Sequence, residues 1–309
     1  MEKRKALFIL VMAVLFLAVA ACPLEAGSGN LKYSITVSKF DNEAGWSGQW
    51  DVGDGFTTIL TAALQDSKEF IVLGDKEMRE EAMAEQDFGA SGRTAKGKKT
   101  AQVGRMTPAQ LLVRGSVTHV QQSTTGGGGG FSFKGISLGG SSDSAEVNIT
   151  MYLVDSETGQ VKASTKVVGT SGRKGLGLGY HGSALGGLTG DMEGFMNDNV
   201  GKACEDAVAQ GVEFLTGQLE DIPWEGSVSI VKPDKIIVNR GSREGVTEGA
   251  KFDVGSIEEV VDEDTGEVLD SEMTKVATIE VTEVKEKIAY CKIIGGNGVQ
   301  KGMTIFPAK

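Results

Sequence analysis

Residues 145–167 read AEVNITMYLVDSETGQVKASTKV. Ala145, Val147, Ile149, Met151 and Leu153 alternate with Glu146, Asn148, Thr150 and Tyr152. A period of two puts the apolar set on one face of a strand and the polar set on the other. Asp155 to Gly159, DSETG, has the composition of a tight turn. Val161, Ala163, Thr165 and Val167 then resume the alternation. The stretch is therefore a hairpin with one apolar side, and that side needs a second layer to cover it.

The flanking sequence supplies the layers. Upstream, residues 31–37 alternate as a strand, and residues 44–55 have the composition of a loop. Phe56, Ile59, Leu60, Ala63 and Leu64 recur at helical spacing, followed by a short apolar strand over residues 70–73. Asp75 is placed to cap a charged helix running to about Glu85. Residues 89–99 are a polar loop. Thr107-Pro108-Ala109-Gln110 has a capping-box pattern with Pro at the first helical position, and residues 111–120 form a strand. Downstream, Phe195, Met196, Val200, Ala203, Cys204, Ala207, Val208, Val212, Leu215 and Leu219 form the apolar stripe of one long helix. Strands and helices in this order predict an α+β fold built as an α/β sandwich over residues 31–222. Pro223-Trp224 marks a boundary. Residues 225–309 consist of short strand-like runs at 228–231, 235–239, 252–259, 275–284 and 288–293, which predicts a small all-β barrel.

The composition changes in the middle of the chain. Residues 121–190 hold 18 of the 44 glycines and only nine charged residues. The stretch GGGGGFSFKGISLGGSS, residues 126–142, begins as a linker would and then turns apolar. Leu176, Leu178 and Tyr180 alternate with Gly175, Gly177 and Gly179 further on. The segment thus holds two hairpins, each ending in a glycine-rich, apolar-tipped extension. A membrane-crossing strand alternates lipid-facing with lumen-facing side chains. Phe131, Phe133, Ile136 and Leu138 in the first extension, and Leu176, Leu178 and Tyr180 in the second, can form the apolar outer face. Two hairpins alone leave edges unpaired in lipid, so several copies must close one shared barrel. On pattern alone, membrane hairpins and flexible loops are both open.

The 309 residues suffice for two domains with cores, and 40% hydrophobic with 24% charged residues is a globular composition. A net charge of −11 argues against a nucleic-acid partner. Lys3, Arg4 and Lys5 followed by an uncharged apolar run make residues 1–21 a secretory signal peptide. Val19-Ala20-Ala21-Cys22 has the form of a bacterial lipobox with Cys22 as the lipidated residue. Leu24-Glu25-Ala26 offers an ordinary cleavage site instead, and both readings stand. The remaining thiols, Cys204 and Cys291, have no partner spacing and are read as buried thiols rather than a disulfide.

Catalytic chemistry finds no foothold. Gly177-x-Gly179-x-x-Gly182 matches a dinucleotide fingerprint but lacks the hydrophobic strand and helix that such a site needs. His119 and His181 are the only histidines, and HExxH, CxxC and GxSxG patterns do not occur. The acidic stretch 258–272 lacks EF-hand spacing and is read as a solvated hairpin. The expectation is a protein that is not an enzyme, with no metal and no cofactor.

Residues 55–75 (GFTTILTAALQDSKEFIVLGD), 111–117 (LLVRGSV) and 147–161 (VNITMYLVDSETGQV) resemble blocks of the CsgG family, the curli production assembly/transport components. The resemblance covers roughly residues 33–219. It implies an outer-membrane lipoprotein with a periplasmic α/β domain, whose partners are copies of itself in a ring and the outer membrane. In such rings each subunit gives two hairpins, here about 117–154 and 161–200, to a shared β-barrel. The channel carries exported protein subunits without ATP. Family channels narrow at a loop between the first strand and first helix. Here that loop, about residues 42–54, is shorter and carries Trp46 and Trp50 without the family's motif. Residues 225–309, with VNRGSREGV at 238–246 and DTGEVL at 264–269, resemble the C-terminal domain of flagellar assembly protein T. That implies an SH3-like barrel for protein contacts. The alternative function is a non-enzymatic periplasmic scaffold in flagellar or cell-envelope assembly.

Overall fold

The computed structural model describes residues 31–308, apart from 49, 96, 98–99, 126–131, 134–135, 138–141, 172–189 and 267. The chain divides into two compact units, Lys32–Trp224 and one that holds Glu225–Lys309. The fold is mixed α and β.

In the first unit the strands are β1 (Tyr33–Val37), β2 (Asp41–Asn42), β3 (Phe70–Val72), β4 (Leu111–Thr125), β7 (Ser142–Asp155) and β8 (Val161–Thr170). Two short strands, β5 (Ser132–Phe133) and β6 (Ile136–Ser137), pair only with each other. The helices are α1 (Val52–Ser67), α2 (Lys76–Ala90), α3 (Gly190–Asn197) and α4 (Asn199–Gly217). The main sheet has the order β3-β1-β4-β7-β8, with β2 beside β4. β1 is parallel to β3 and β4, whereas β7 runs antiparallel to both β4 and β8.

The alternation in β7 becomes its burial pattern. Ala145, Val147, Ile149, Met151 and Leu153 are all buried, while Tyr152 on the other face is exposed. The buried side meets α4, whose Ala203, Cys204, Ala207, Val208 and Leu215 are buried, and α1 packs against α4 with Phe56, Ile59, Leu60, Ala63 and Leu64 buried. Asp51 caps α1, Asp75 caps α2 and Asp198 caps α4, each accepting a main-chain N–H. Helix α4 lies so close to β8 that a Cβ on Gly169 would strike the carbonyl oxygen of Ala203. From α4, the buried Asp206 accepts the Thr170 N–H at 2.9 Å, and Gln210 Nε2 donates to the Val168 carbonyl at 2.9 Å. These side chains occupy hydrogen-bonding groups of the outermost strand, which would otherwise invite another strand.

Three local expectations are corrected. Thr107 to Gln110 does not turn into a helix. Instead Gln110 Oε1 accepts the Ser34 N–H at 3.0 Å, and Ser34 Oγ donates to the Pro108 carbonyl at 2.8 Å. The segment is spent covering β1. The single helix read across residues 195–219 is two helices. Asp198, in extended conformation, ends α3 and caps α4, and Gly201 admits the Phe195 carbonyl where a Cβ would collide. The apolar stripe survives the break because Phe195 and Val200 are both buried. Finally, the second hairpin drawn over residues 161–200 includes helical residues from Gly190 onward.

The second unit is a closed six-stranded barrel. Its strands are β9 (Gly226–Lys232), β10 (Lys235–Val238), β11 (Lys251–Val261), β12 (Val268–Val284), β13 (Ala289–Gly296) and β14 (Thr304–Pro307), in the order β10-β13-β12-β11-β14-β9. Val228, Ile236, Val238, Phe252, Val254, Ile279, Val281, Cys291 and Ile305 fill it. The closing strand β14 was not legible in its four residues, TIFP. It joins β11 to β9 and so removes both edges. Beyond the barrel, β11 and β12 continue as a two-stranded acidic ribbon in which Glu258 faces Glu272.

Two predictions follow from this packing. Gly169→Ala is expected to lower stability by about 1–3 kcal/mol in chemical denaturation, because the added methyl must push α4 off β8. Cys204 and Cys291 are buried free thiols. Burial raises both thiol pKa values, that of Cys291 to about 12. Thiolate forms only above those values, so neither residue should react with a thiol reagent at pH 8 until denaturant is added.

Candidate functional site

One end of the main sheet gathers the features that sequence singled out. β1 and β4 are parallel, so their C-terminal ends lie together. β2 follows β1 along β4, pairing Asp41 with Ser116 and Asn42 with Val117, and the Ala44 N–H donates to the Val117 carbonyl at 2.8 Å. This draws Ala44 alongside β4 as it leaves the sheet. The ladder between β4 and β7 runs on to Thr125 and Ser142, whereas the ladder between β7 and β8 stops at Glu146 and Thr170. Ser171 adds one more step to Ala145. Beyond it, β4 and β7 continue as a two-stranded arm. Both glycine-rich segments therefore leave from adjacent strands at the same end of the sheet.

The loop with the two tryptophans is tied down. Asn42 Nδ2 donates to the Trp46 carbonyl at 2.7 Å, and its Oδ1 accepts the Trp46 N–H at 3.3 Å. Lys39 Nζ lies 2.7 Å from Asp54 and 3.8 Å from Asp51, bridging β1's exit to the start of α1. The Asp54 carboxylate raises the Lys39 pKa by accepting a hydrogen bond from its ammonium, with smaller help from Asp51. Trp50 packs edge-on against Phe195 of α3, ring centroids 5.9 Å apart. Gly194 and Gly55 make room for this pair. A Cβ on Gly194 would sit 3.1 Å from the Trp50 ring, and one on Gly55 would sit 2.5 Å from Phe195. Trp46 and Trp50 thus differ. Trp50 is a packing residue joining the loop to α3, whereas the Trp46 ring stacks over Gly48 within the loop itself.

Other predicted site residues are placed as follows. Phe133 and Ile136 are paired across β5 and β6. Cys22 and the targeting segment, Phe131, Leu138, Leu176, Leu178, Tyr180 and His181 lie outside the described residues. His119 lies on β4, paired with Asn148. Lys39, Asp51, Asp54 and Phe195 escaped the sequence reading. A Lys eleven or more residues before a cap carries no local signal, and Phe195 is separated from Trp50 by more than 140 residues. Among the described residues, no group of three or more His, Cys, Asp or Glu comes together to hold a metal. No described helix is long and apolar enough to cross a membrane, which leaves strands untested.

The sheet's other face is open over β7 and β8. A depression of about 380 Å³ lies there, lined by residues that include Arg114, Ser116, Thr150, Tyr152, Val154 and Val161.

No curated protein matches the chain in sequence. Among solved structures, the PelC dodecamer from Paraburkholderia phytofirmans is 13% identical, over 58% of this chain and 84% of that one, with a TM-score of 0.31. The hypothetical protein CT253 from Chlamydia trachomatis is 13% identical, over 62% of this chain and 100% of that one, with a TM-score of 0.35. Lipoprotein GNA1162 from Neisseria meningitidis is 18% identical, over 50% of this chain and 93% of that one, with a TM-score of 0.25. Scores this low carry no conclusion. The sequence model for "Curli production assembly/transport component CsgG" matches residues 23–232, which is more than half of the chain and includes the blocks at 55–75, 111–117 and 147–161. The chain belongs to the CsgG family.

Proposed function

We propose that this protein is an outer-membrane-associated lipoprotein of the CsgG type, anchored through Cys22. Copies assemble into a ring whose shared channel serves secretion or assembly of an extracellular appendage. One observation carries the reading beyond family membership. Strands β4, β7 and β8 deliver both glycine-rich segments to one end of the sheet. Segments that leave side by side can enter a common barrel wall, and neighbouring copies can extend that wall until it closes. The low charge of residues 121–190 suits a lipid-facing position, where each charge costs several kcal/mol. Lipidation at Cys22 adds a second attachment, because a single acyl chain holds weakly. The protein works without catalysis and without a cofactor. Its barrel unit, Glu225–Lys309, is a module for protein contacts, of the kind the flagellar assembly resemblance implies.

The Trp46 and Trp50 loop borders the arm and is the segment proposed to narrow the channel. The two rings have different jobs there. Trp46, tied to Asn42 through its main chain and lying over Gly48 of its own loop, is the ring available to the lumen, and Trp50 anchors the loop to Phe195.

Membrane fractions solubilised in mild detergent are expected to show rings with a stain-filled centre by negative-stain electron microscopy, and purified rings should conduct ions in planar bilayers. Monomers released from membranes by high salt, with no conductance, would rule the channel out and leave the periplasmic scaffold reading. Trp46→Ala should raise single-channel conductance with little change in melting temperature. Trp50→Ala should lower stability by about 1–2 kcal/mol, since it removes the ring that packs on Phe195.

A further inference from the structure

The strand order reverses after β3, and this decides where α2 must lie. The chain moves from β1 out to β3 through α1, then back past β1 to β4 through α2. Parallel crossovers are right-handed, so a reversal of direction places α2 on the sheet face opposite α1. The contacts agree. Thr36, on the face away from the core, donates through Oγ1 to the Gly74 carbonyl at 2.9 Å, and Arg79 Nη1 donates to the Thr107 carbonyl at 3.2 Å.

Yet α2 buries no residue. Its least exposed side chains are polar, Arg79 and Gln86. Its apolar residues are in water, with Met78 61% and Phe88 48% exposed. By helical spacing Glu81, Glu85 and Phe88 point away from Arg79 and Gln86, with Met78 at the margin. A surface helix normally turns its apolar side inward. Here Met78 and Phe88 lie outward, and Met83, on the Arg79 side, is still 47% exposed. The same second face of the sheet is uncovered over β7 and β8. Tyr152, Val161 and Val168 are 38%, 57% and 38% exposed there. Lys166 stands on that face opposite Thr150, and Lys162 lies next to Val161 and 3.6 Å from Asp155. Asp41, Glu43 and Arg114 line the far border, where Arg114 is 3.8 Å from Asp41.

We infer that the outer side of α2 docks on the β7–β8 face of a second copy of this chain. The chain itself holds both unfinished halves: a helix with outward apolar residues and acids, and a sheet face with outward apolar residues and lysines. Met78 and Phe88 meet Tyr152, Val161 and Val168, and Glu81 and Glu85 meet Lys162 and Lys166. The two patches differ, so the contact runs head to tail and repeats from copy to copy, which is how a ring closes. The inference rests on the ring proposed above and assigns its subunit interface.

Light scattering coupled to size exclusion of the full chain in mild detergent tests it. The paired substitution Glu81→Lys with Glu85→Lys, and separately Lys166→Glu, should each weaken assembly about tenfold or more. Combining them should recover it. In a mixture of Glu85→Cys and Lys166→Cys copies, mild oxidation should link one copy of each kind. Rings that persist unchanged in every charge variant, with no such link, would overturn this interface while leaving the ring itself standing. That result would also mean another part of the chain covers the face. Wild-type protein that stays monomeric would overturn both. Loss of assembly without recovery in the combined variant would break the pairing of these two patches. All substituted positions are exposed, and an unchanged melting temperature separates assembly from folding.

Discussion

Val147, Ile149, Met151 and Leu153 leave water together beneath α1 and α4, and most of the first unit is arranged around that burial. Each such side chain is worth about 1.5–3 kcal/mol when buried. Close approach of α4 makes the burial complete. Gly169 lets α4 touch β8, and Gly211 leaves space for the Met151 methyl, 2.8 Å from where its Cβ would be. On the opposite end of the core, Gly115 admits the ring of Phe40, which stands 4.8 Å from Phe56. Glycine here serves packing, a different role from the glycine of the two extensions.

A sheet covered on one side by two helices and on the other by a helix with no buried residue has an unfinished layer. In a monomer that layer would expose Met78, Phe88, Tyr152, Val161 and Val168 to no purpose. In the ring proposed above the same residues would be the means of assembly. The proposed channel would need such assembly, because two hairpins from one copy cannot close a barrel alone. Interface and channel are then two consequences of one chain geometry. Adjacent strands lead out of one end of the sheet, and in the proposed ring the second face beside them would hold the next copy.

The barrel unit manages its edges differently. β14 closes it, and its interior is apolar. Only the ribbon of β11 and β12 projects, with Glu258 opposite Glu272 and Val260, Val261, Val268 and Leu269 exposed. Like charges directly opposite one another weaken a ribbon, so it contributes little to the stability of the barrel that carries it.

Much of this was legible in the sequence wherever a pattern is local. The period of two in residues 145–153 marks which side of β7 is buried, since alternate side chains on a strand point to opposite faces. The helical period in residues 56–64, the aspartate that caps α2, and the DSETG turn depend likewise on neighbours within a few residues. Tertiary structure alone decided the rest. Gln110 serves Ser34 rather than a helix, because a buried main-chain group on β1 needs a partner from 76 residues away. Trp50 finds Phe195, and Lys39 finds Asp54, only after the sheet has brought their elements together. The outward side of α2 could not be read from its composition. It follows from the strand order, and strand order is a property of the assembled sheet.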